Sequence, residues 1–292
     1  MNPILRGYLR LCRPPNLPTA AADILAGLAI IGAFSSPSWP VEALFLVVSS
    51  IFLYAGGVVF NDFFDYEIDL VERPERPLPS GTIPLKNAAI FGALLMLTGL
   101  LLATLVSIFS GVVALVLILT ILLYDSWGKN HSFFGPLNMG LCRGLNLLLG
   151  MSLVQTFDYW QYALIPVLFI FAVTLISRGE VHGNNKKNII FAGVLYGLVL
   201  ISVMLLNNLY GVEQFGYLLF LGLFAIMVLI PLIRAYRENI PKNIMKAVKA
   251  GVLSIILLDA AIASAFAGLQ IGLLIVLLLP LSILLAKAFA VT

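Results

Sequence analysis

Asn61-Asp62-Phe63-Phe64-Asp65-Tyr66-Glu67-Ile68-Asp69, running on to Arg73, Arg76 and Ser80-Gly81, is the stretch on which the reading of the chain turns. It follows directly on Leu44–Phe60, a run without a single charge. Asp62, Asp65 and Asp69 are spaced three and four apart, so a continuing helix predicts all three carboxylates on one face. Stacked carboxylates repel one another strongly where water is scarce. A hard divalent cation is the simplest remedy, because carboxylate oxygens suit Mg2+ together with substrate phosphates. Glu67, Glu72 and Glu75 fall off that face or beyond it and read as solvated charges.

The rest of the chain explains why water would be scarce. Of its 292 residues 61% are hydrophobic and 11% charged, with a mean hydropathy of +1.05. A soluble domain carries about 25% charged residues. The composition therefore marks an all-α, polytopic membrane protein. No cleavable signal peptide is visible, since Arg6, Arg10 and Arg13 precede any apolar core. Cys12 and Cys142 form no metal or disulfide pattern and read as small buried residues.

A spanning helix needs roughly 20 apolar residues. Ten stretches qualify: about 16–34, 42–60, 86–107, 109–124, 136–156, 160–177, 189–207, 215–235, 245–267 and 270–289. The close joints at 107–111 and 268–270 leave nine or ten spans open. The connecting segments divide by charge. Arg6, Arg10 and Arg13, then Arg73, Arg76 and Lys86, then Lys129, then Arg178, Lys186 and Lys187, then Arg234, Arg237, Lys242, Lys246 and Lys249 fall on one side. The connections near 35–40, 109–111, Asp158, Glu213 and Gly268 carry no Lys or Arg. The positive-inside rule makes the basic side cytoplasmic. Lys287 joins that side if there are ten spans.

A weak repeat is visible. Asn16 opens the first span and Asn138 the fifth; acidic or polar stretches close the second and the sixth, the latter Ser177-Arg178-Gly179-Glu180-Val181-His182-Gly183-Asn184. This predicts one domain over residues 1–292, with halves at about 1–130 and 131–240 plus C-terminal helices. Such symmetry places a site at the repeat interface. Glu180 and Asn184, four apart, would share a helical face and offer two oxygen ligands. His182 would point elsewhere and reads as a loop histidine.

Other polar residues carry two readings each. Asn16 and Asn138 are helix caps or ligands at the bundle mouth. Arg73 and Arg76 could grip phosphate oxygens, whereas Lys86 reads as a topology charge. Lys129 could reach a diphosphate, and Tyr124 is either beside it or an interfacial anchor. Arg143 lies inside a span, where charge signals function, or it snorkels. Asp23 and Asp259 are intramembrane acids of the same kind.

Asn61-Asp62-x-x-Asp65-x-x-x-Asp69, then Arg73 and Arg76-Pro77-Leu78-Pro79-Ser80-Gly81, resembles the first aspartate-rich motif of the UbiA superfamily of intramembrane prenyltransferases. Arg13-Pro14-Pro15-Asn16 and the Tyr124…Lys129 region resemble the family too. The resemblance implies a bundle of about nine transmembrane helices around a central cavity with cytoplasmic cap loops. It implies Mg2+ held by Asn61, Asp62, Asp65, Asp69, Glu180 and Asn184, of which Asp62, Asp65, Asp69 and Glu180 are catalytic. It implies a diphosphate bound by Asn16, Arg73, Arg76, Tyr124, Lys129, Asn138 and Arg143. The implied reaction is transfer of an isoprenyl group from an isoprenyl diphosphate to an aromatic or otherwise lipophilic acceptor. The implied place is the lipid bilayer of a bacterial-type inner membrane, without nucleic acid as a partner. The second motif departs from the family's Asp-x-x-x-Asp, with Glu180 and Asn184 in its place and one negative charge fewer. Ser-Arg-Gly-Glu-Val-His-Gly is similar to a divergent branch, the UbiA-like EboC proteins. The same departure keeps a second class of function open: a bundle that binds or moves a lipophilic metabolite without turnover.

Overall fold

The computed structural model describes residues 2–35, 40–181, 183–210 and 215–289. His182 and Glu213 lie outside the described residues. A short helix α1 (Pro3–Leu11) precedes α2 (Leu17–Ile30), α3 (Val41–Phe64) and α4 (Tyr66–Glu72). Then come α5 (Leu85–Val106), α6 (Ile108–Ser126), α7 (Phe134–Met151), α8 (Leu164–Ser177) and α9 (Lys186–Leu209). The chain closes with α10 (Tyr217–Arg237), α11 (Pro241–Ala267), α12 (Leu269–Val276) and α13 (Leu278–Phe289). No strand occurs among the described residues.

Nine helical stretches among the described residues are long and apolar enough to cross a membrane. The first expected span is the exception. Its α-helix has 14 residues, about 21 Å of rise, too short for a hydrocarbon layer of about 30 Å. A 3-10 turn at Pro14–Asn16 leads into it, and every residue from Pro18 to Ile30 is buried. It is an inner helix, packed against α3, α7 and α11. The expected last span is two helices, α12 and α13, meeting at Leu277. The joint between α5 and α6 is one extended residue, Ser107, whose hydroxyl caps α6 by accepting the Ser110 amide at 2.9 Å.

What faces outward confirms the solvent. On α5, Ile90, Leu94, Leu97, Leu101 and Leu105 are all exposed, a stripe at helical spacing where a soluble helix would carry charges. The hydrophobic effect gives lipid-immersed helices little reason to associate, so small residues and polar contacts do the work. A Cβ on Gly27 of α2 would lie 2.4 Å from the Leu147 carbonyl oxygen of α7. One on Gly150 of α7 would lie 2.5 Å from the Ile24 carbonyl oxygen of α2. Only glycine permits that crossing. Gly140 and Gly144 press α7 equally closely on Val167 and Ala163. The Ser49 hydroxyl ties α3 to α5 by donating to the Gly99 carbonyl at 2.7 Å.

The ends of α3, α6, α8 and α10 meet the starts of α5, α7, α9 and α11 at one end of the bundle. Their connections bond to one another there. Arg178 donates to the His131 carbonyl at 2.6 Å, and the Asn185 amide donates to Asn239 Oδ1 at 2.5 Å. This is the end that gathers the basic residues.

Candidate active site

The acidic stretch begins as the last turn of α3 and breaks once, at Asp65, before α4 resumes. The break is slight: the Asp65 amide still donates to the Asn61 carbonyl at 3.0 Å, and that of Asp69 to the Asp65 carbonyl at 2.8 Å. Asp62 and Asp69 are buried, whereas Asp65 is half-buried. Instead of one ladder of three carboxylates, two share a partner and the third turns aside. Arg76 Nη1 lies 3.2 Å from Asp62 Oδ1 and 2.6 Å from Asp69 Oδ2. Asp65 pairs with Lys129, from the turn after α6. Glu67, Glu72 and Glu75 are exposed, as their spacing predicts.

A further cation comes from before α2. Arg13 Nη2 lies 2.5 Å from Asp62 Oδ1 and 3.3 Å from Asn61 Oδ1. Its backbone is left-handed, with φ +47°, a conformation rare in non-glycine residues and common at functional sites. Burial works against its charge, but Asp62 and Tyr54 outweigh it and raise the guanidinium pKa. Asn61 turns its amide the other way, donating to Asp125 Oδ1 at 3.0 Å. Arg13, Arg76 and Lys129 thus neutralise the three carboxylates.

Among the described residues no three acidic, histidine or cysteine side chains converge as a ready metal cage. The donor set nevertheless suits Mg2+. Asp62 and Asp69 present hard oxygens to one nitrogen, so a cation already occupies the place between them.

The second polar stretch is no helix. α8 ends at Ser177, residues 178–181 are turns, and Gly183 and Asn184 both have positive φ. Glu180 and Asn184 therefore do not share a helical face. Asn184 is exposed. Glu180 is half-buried, and burial pushes its carboxyl pKa up while Arg73 and Lys249 pull it down. The pull of Arg73, which follows the acidic stretch, shows that the Glu180 turn feels the charges of the mouth. Asn185 is the residue that holds this turn: its Nδ2 donates to the carbonyls of Leu175 and Ile176, at 3.0 and 3.1 Å.

Neither Asn16 nor Asn138 is a side-chain cap. Asn16 makes no capping bond. Asn138 sits one turn inside α7, and with its amide in the orientation its neighbours require it donates to the Thr120 carbonyl at 3.0 Å and accepts the Tyr124 amide at 3.1 Å. Those are the two groups a regular α6 would pair with each other. Asn138 therefore braces Tyr124.

Below the mouth opens a cavity of about 190 Å3. Arg13, Asn61, Tyr124 and Asp125 line its upper part; Ser50, Tyr54, Arg143 and Asn146 line its lower part, with apolar walls from Leu117, Ile121 and Met139. Arg143 does not snorkel. Its Nη1 donates to Asp23 at 2.9 Å and its Nη2 to Thr19 at 2.7 Å. Its guanidinium lies 5.1 Å from the centre of the Tyr54 ring. Asn146 Nδ2 also donates to Asp23, at 2.7 Å, and Ser50 donates to Asn146 Oδ1 at 2.7 Å. Tyr54 and Ser50 lie seven and eleven residues back along α3 from Asn61, about 10 and 16 Å of helix. Arg143 belongs to this lower group and not to the mouth.

Three site residues were hard to find in the chain alone. Arg13 stands among the topology charges and in the family-like Arg13-Pro14-Pro15-Asn16 without a role of its own, and Asp125 gives no signal beyond an acid next to Tyr124. Asn146 gives no signal beyond an amide in an apolar run.

A model of the UbiA prenyltransferase family matches residues 20–178. A digeranylgeranylglyceryl phosphate synthase of Saccharolobus solfataricus is 31% identical over 63% of this chain and 67% of that protein. Another, of Sulfurisphaera tokodaii, is 27% identical over 87% of this chain and 98% of its own length. A solved UbiA homologue from Archaeoglobus fulgidus, bound to DMAPP and Mg2+, shares the fold with a TM-score of 0.67 at 16% identity, covering 90% of this chain and 99% of that one.

Proposed function

The chain belongs to the UbiA prenyltransferase family, and from that membership we propose that it transfers an isoprenyl group from an isoprenyl diphosphate, with Mg2+, to a small lipophilic acceptor inside the membrane. The observation that carries this reading is the mouth itself. Arg13, Arg76 and Lys129 converge there on Asp62, Asp65 and Asp69 above a cavity.

The arrangement suits a diphosphate because its cations are already desolvated and held in place. Arg13 and Arg76 each present a guanidinium fork that matches phosphate oxygens two at a time. Lys129 adds a point charge, and Arg73 a more exposed one. Asp62, Asp65 and Asp69 would hold Mg2+, with Asn61 beside them and Glu180 and Asn184 from the turn after α8. When bound, the ion supplies positive charge to the leaving diphosphate. The basic side chains stabilise the same charge as the carbon–oxygen bond breaks. Tyr124, braced by Asn138, closes one wall between mouth and cavity. The apolar walls exclude water from the electron-poor prenyl carbon, so the acceptor rather than hydroxide meets it.

The relatives' name describes a product in which a glyceryl phosphate carries two geranylgeranyl groups. Within the aromatic or otherwise lipophilic acceptors expected, this favours an oxygen nucleophile over an aromatic ring. The mouth lies at the basic end of the bundle, which fits a cytoplasmic active site.

The test is calorimetric binding of geranylgeranyl diphosphate to the purified protein with and without Mg2+. Binding that depends on the ion and weakens in Asp62→Ala and Asp69→Ala supports the reading. Binding indifferent to both sinks it.

A further inference from the structure

The prenyl-transfer reading assigns the mouth but leaves the lower end of the cavity without a task. We propose that this lower end, framed by Ser50, Tyr54, Arg143 and Asn146, is the acceptor subsite, and that it binds a neutral oxygen group, a hydroxyl or a carbonyl, rather than a phosphate. The proposal rests on the prenyl-transfer reading above.

The first support is the state of Arg143. A guanidinium carries five N–H donors. One bond goes to Asp23 and one to Thr19. Its Nε has no protein acceptor and yet is not among the sealed, unsatisfied polar atoms of the described residues. Arg143 is 5% exposed in all, and the space it lines is the cavity. A donor of a residue that lines the chamber is therefore left without a protein acceptor and not sealed off. Asp23, Thr19 and the Tyr54 ring hold the guanidinium in one pose. A residue that only tied α7 to α2 would not need to line the chamber.

The second support is charge. Around this end stands one guanidinium, Arg143, already paired with the buried Asp23 at 2.9 Å. A phosphate drawn here would meet a cation whose charge is already matched. At the mouth the balance is the reverse, with Arg13, Arg73, Arg76 and Lys129 close together and a divalent ion to be added. Phosphate groups of either substrate belong above, and a neutral oxygen below, where it can accept from Arg143 without bringing charge.

The third support is size. A cavity of about 150 Å3 accommodates benzene. The whole cavity here, upper part included, is about 190 Å3, so its lower end accommodates a single ring or a glycerol-sized head and not a long isoprenyl chain. The lower end lies about 10 Å or more below Asn61, a separation that leaves the prenyl carbon between diphosphate and acceptor.

The test uses the full chain in nanodiscs with two tritiated probes that differ only in charge, geranylgeranylglycerol and its phosphate ester. Wild type is expected to bind both probes, the phosphate of the ester staying at the mouth and the hydroxyl of each reaching the lower end. In Arg143→Lys, which keeps the charge and loses the fork, the neutral probe weakens about tenfold while geranylgeranyl diphosphate with Mg2+ stays within about twofold. Tyr54→Phe and Ser50→Ala leave the Asp23 pair in place, and at least one of them weakens the neutral probe in the same selective way. No binding of the neutral probe, or equal losses for probe and diphosphate in Arg143→Lys, overturn the proposal. If Arg143→Lys does not fold, unchanged affinity in both other variants overturns it as well. Absence of Mg2+-dependent diphosphate binding in wild type fails the prenyl-transfer reading instead, and the acceptor subsite with it.

Discussion

Asp62 and Asp69, two helical turns apart, close on the same atom: Arg76 Nη1 lies 3.2 Å from Oδ1 of the first and 2.6 Å from Oδ2 of the second. Arg76 thus bridges the two carboxylates as their shared cation. Arg76→Gln removes the internal cation and leaves two buried carboxylates facing each other. Mg2+ alone is expected to bind more tightly to this variant, while geranylgeranyl diphosphate with Mg2+ binds about tenfold more weakly. Calorimetry reads both; a parallel loss of ion and diphosphate affinity would contradict the exchange.

Asp65 and Lys129 form a separable pair, their side chains 22% and 16% exposed. Thermal stabilities of Asp65→Asn, Lys129→Gln and the double variant are expected to show a coupling of about 1 kcal/mol without ligand. Saturating Mg2+ and geranylgeranyl diphosphate should abolish the coupling, because each partner then turns to the ligand. A coupling that persists unchanged would make the pair structural.

The α2–α7 crossing is predicted to tolerate no side chain. Gly27→Ala places a methyl carbon 2.4 Å from the Leu147 carbonyl oxygen and 2.9 Å from the Met151 amide nitrogen. Separation of the helices costs about 1–3 kcal/mol and moves Asp23 away from Arg143. Melting in detergent should fall by several degrees, and an unchanged midpoint would show that the helices are less closely apposed.

Cys12 offers a pH readout outside the spans. Burial disfavours its thiolate and pushes the thiol pKa up to about 11. At pH 8 the thiolate fraction is then only ~0.1%, against roughly a quarter for an unperturbed thiol. In a Cys142→Ser background, maleimide should label the folded protein far more slowly than the detergent-unfolded one, with a rate still climbing tenfold per pH unit at pH 9. A plateau near pH 9 would refute the burial.

Asn184→Asp tests the Glu180 turn. Position 184 is exposed with φ +56°, a conformation that aspartate tolerates nearly as well as asparagine. The added carboxylate should strengthen Mg2+ binding in the presence of diphosphate without altering the melting midpoint. Weaker diphosphate binding would mean that the amide touches substrate.

The bundle and the acidic mouth were legible because both are written locally. Uncharged runs longer than a bilayer and aspartates at i, i+3 and i+7 need no knowledge of partners. What the chain alone concealed is long-range. Arg13 meets Asp62 across 49 positions, Lys129 meets Asp65 across 64, and Arg143 meets its Asp23 and Thr19 partners across 120 and 124. No periodicity encodes such pairings, so Lys129 read as a reach toward diphosphate and Arg143 as a lone intramembrane charge, without their carboxylate partners. The Glu180 turn was misread for a different reason. Spacing of four implies a shared face only on a helix, and Gly183 and Asn184 adopt backbone angles that end one. The shortness of α2 escaped because hydropathy does not distinguish a segment enclosed by protein from one bathed in lipid.

That enclosure sets a schedule for biosynthesis. α2 leaves the ribosome well before α7 and α11, the helices that surround it. At roughly 5–20 residues per second, Asp23 waits several seconds for Arg143 and longer for α11 to arrive. During that interval a 14-residue helix carrying an acid has α3 as its early neighbour. A helix made early is thus among the last to be fully surrounded.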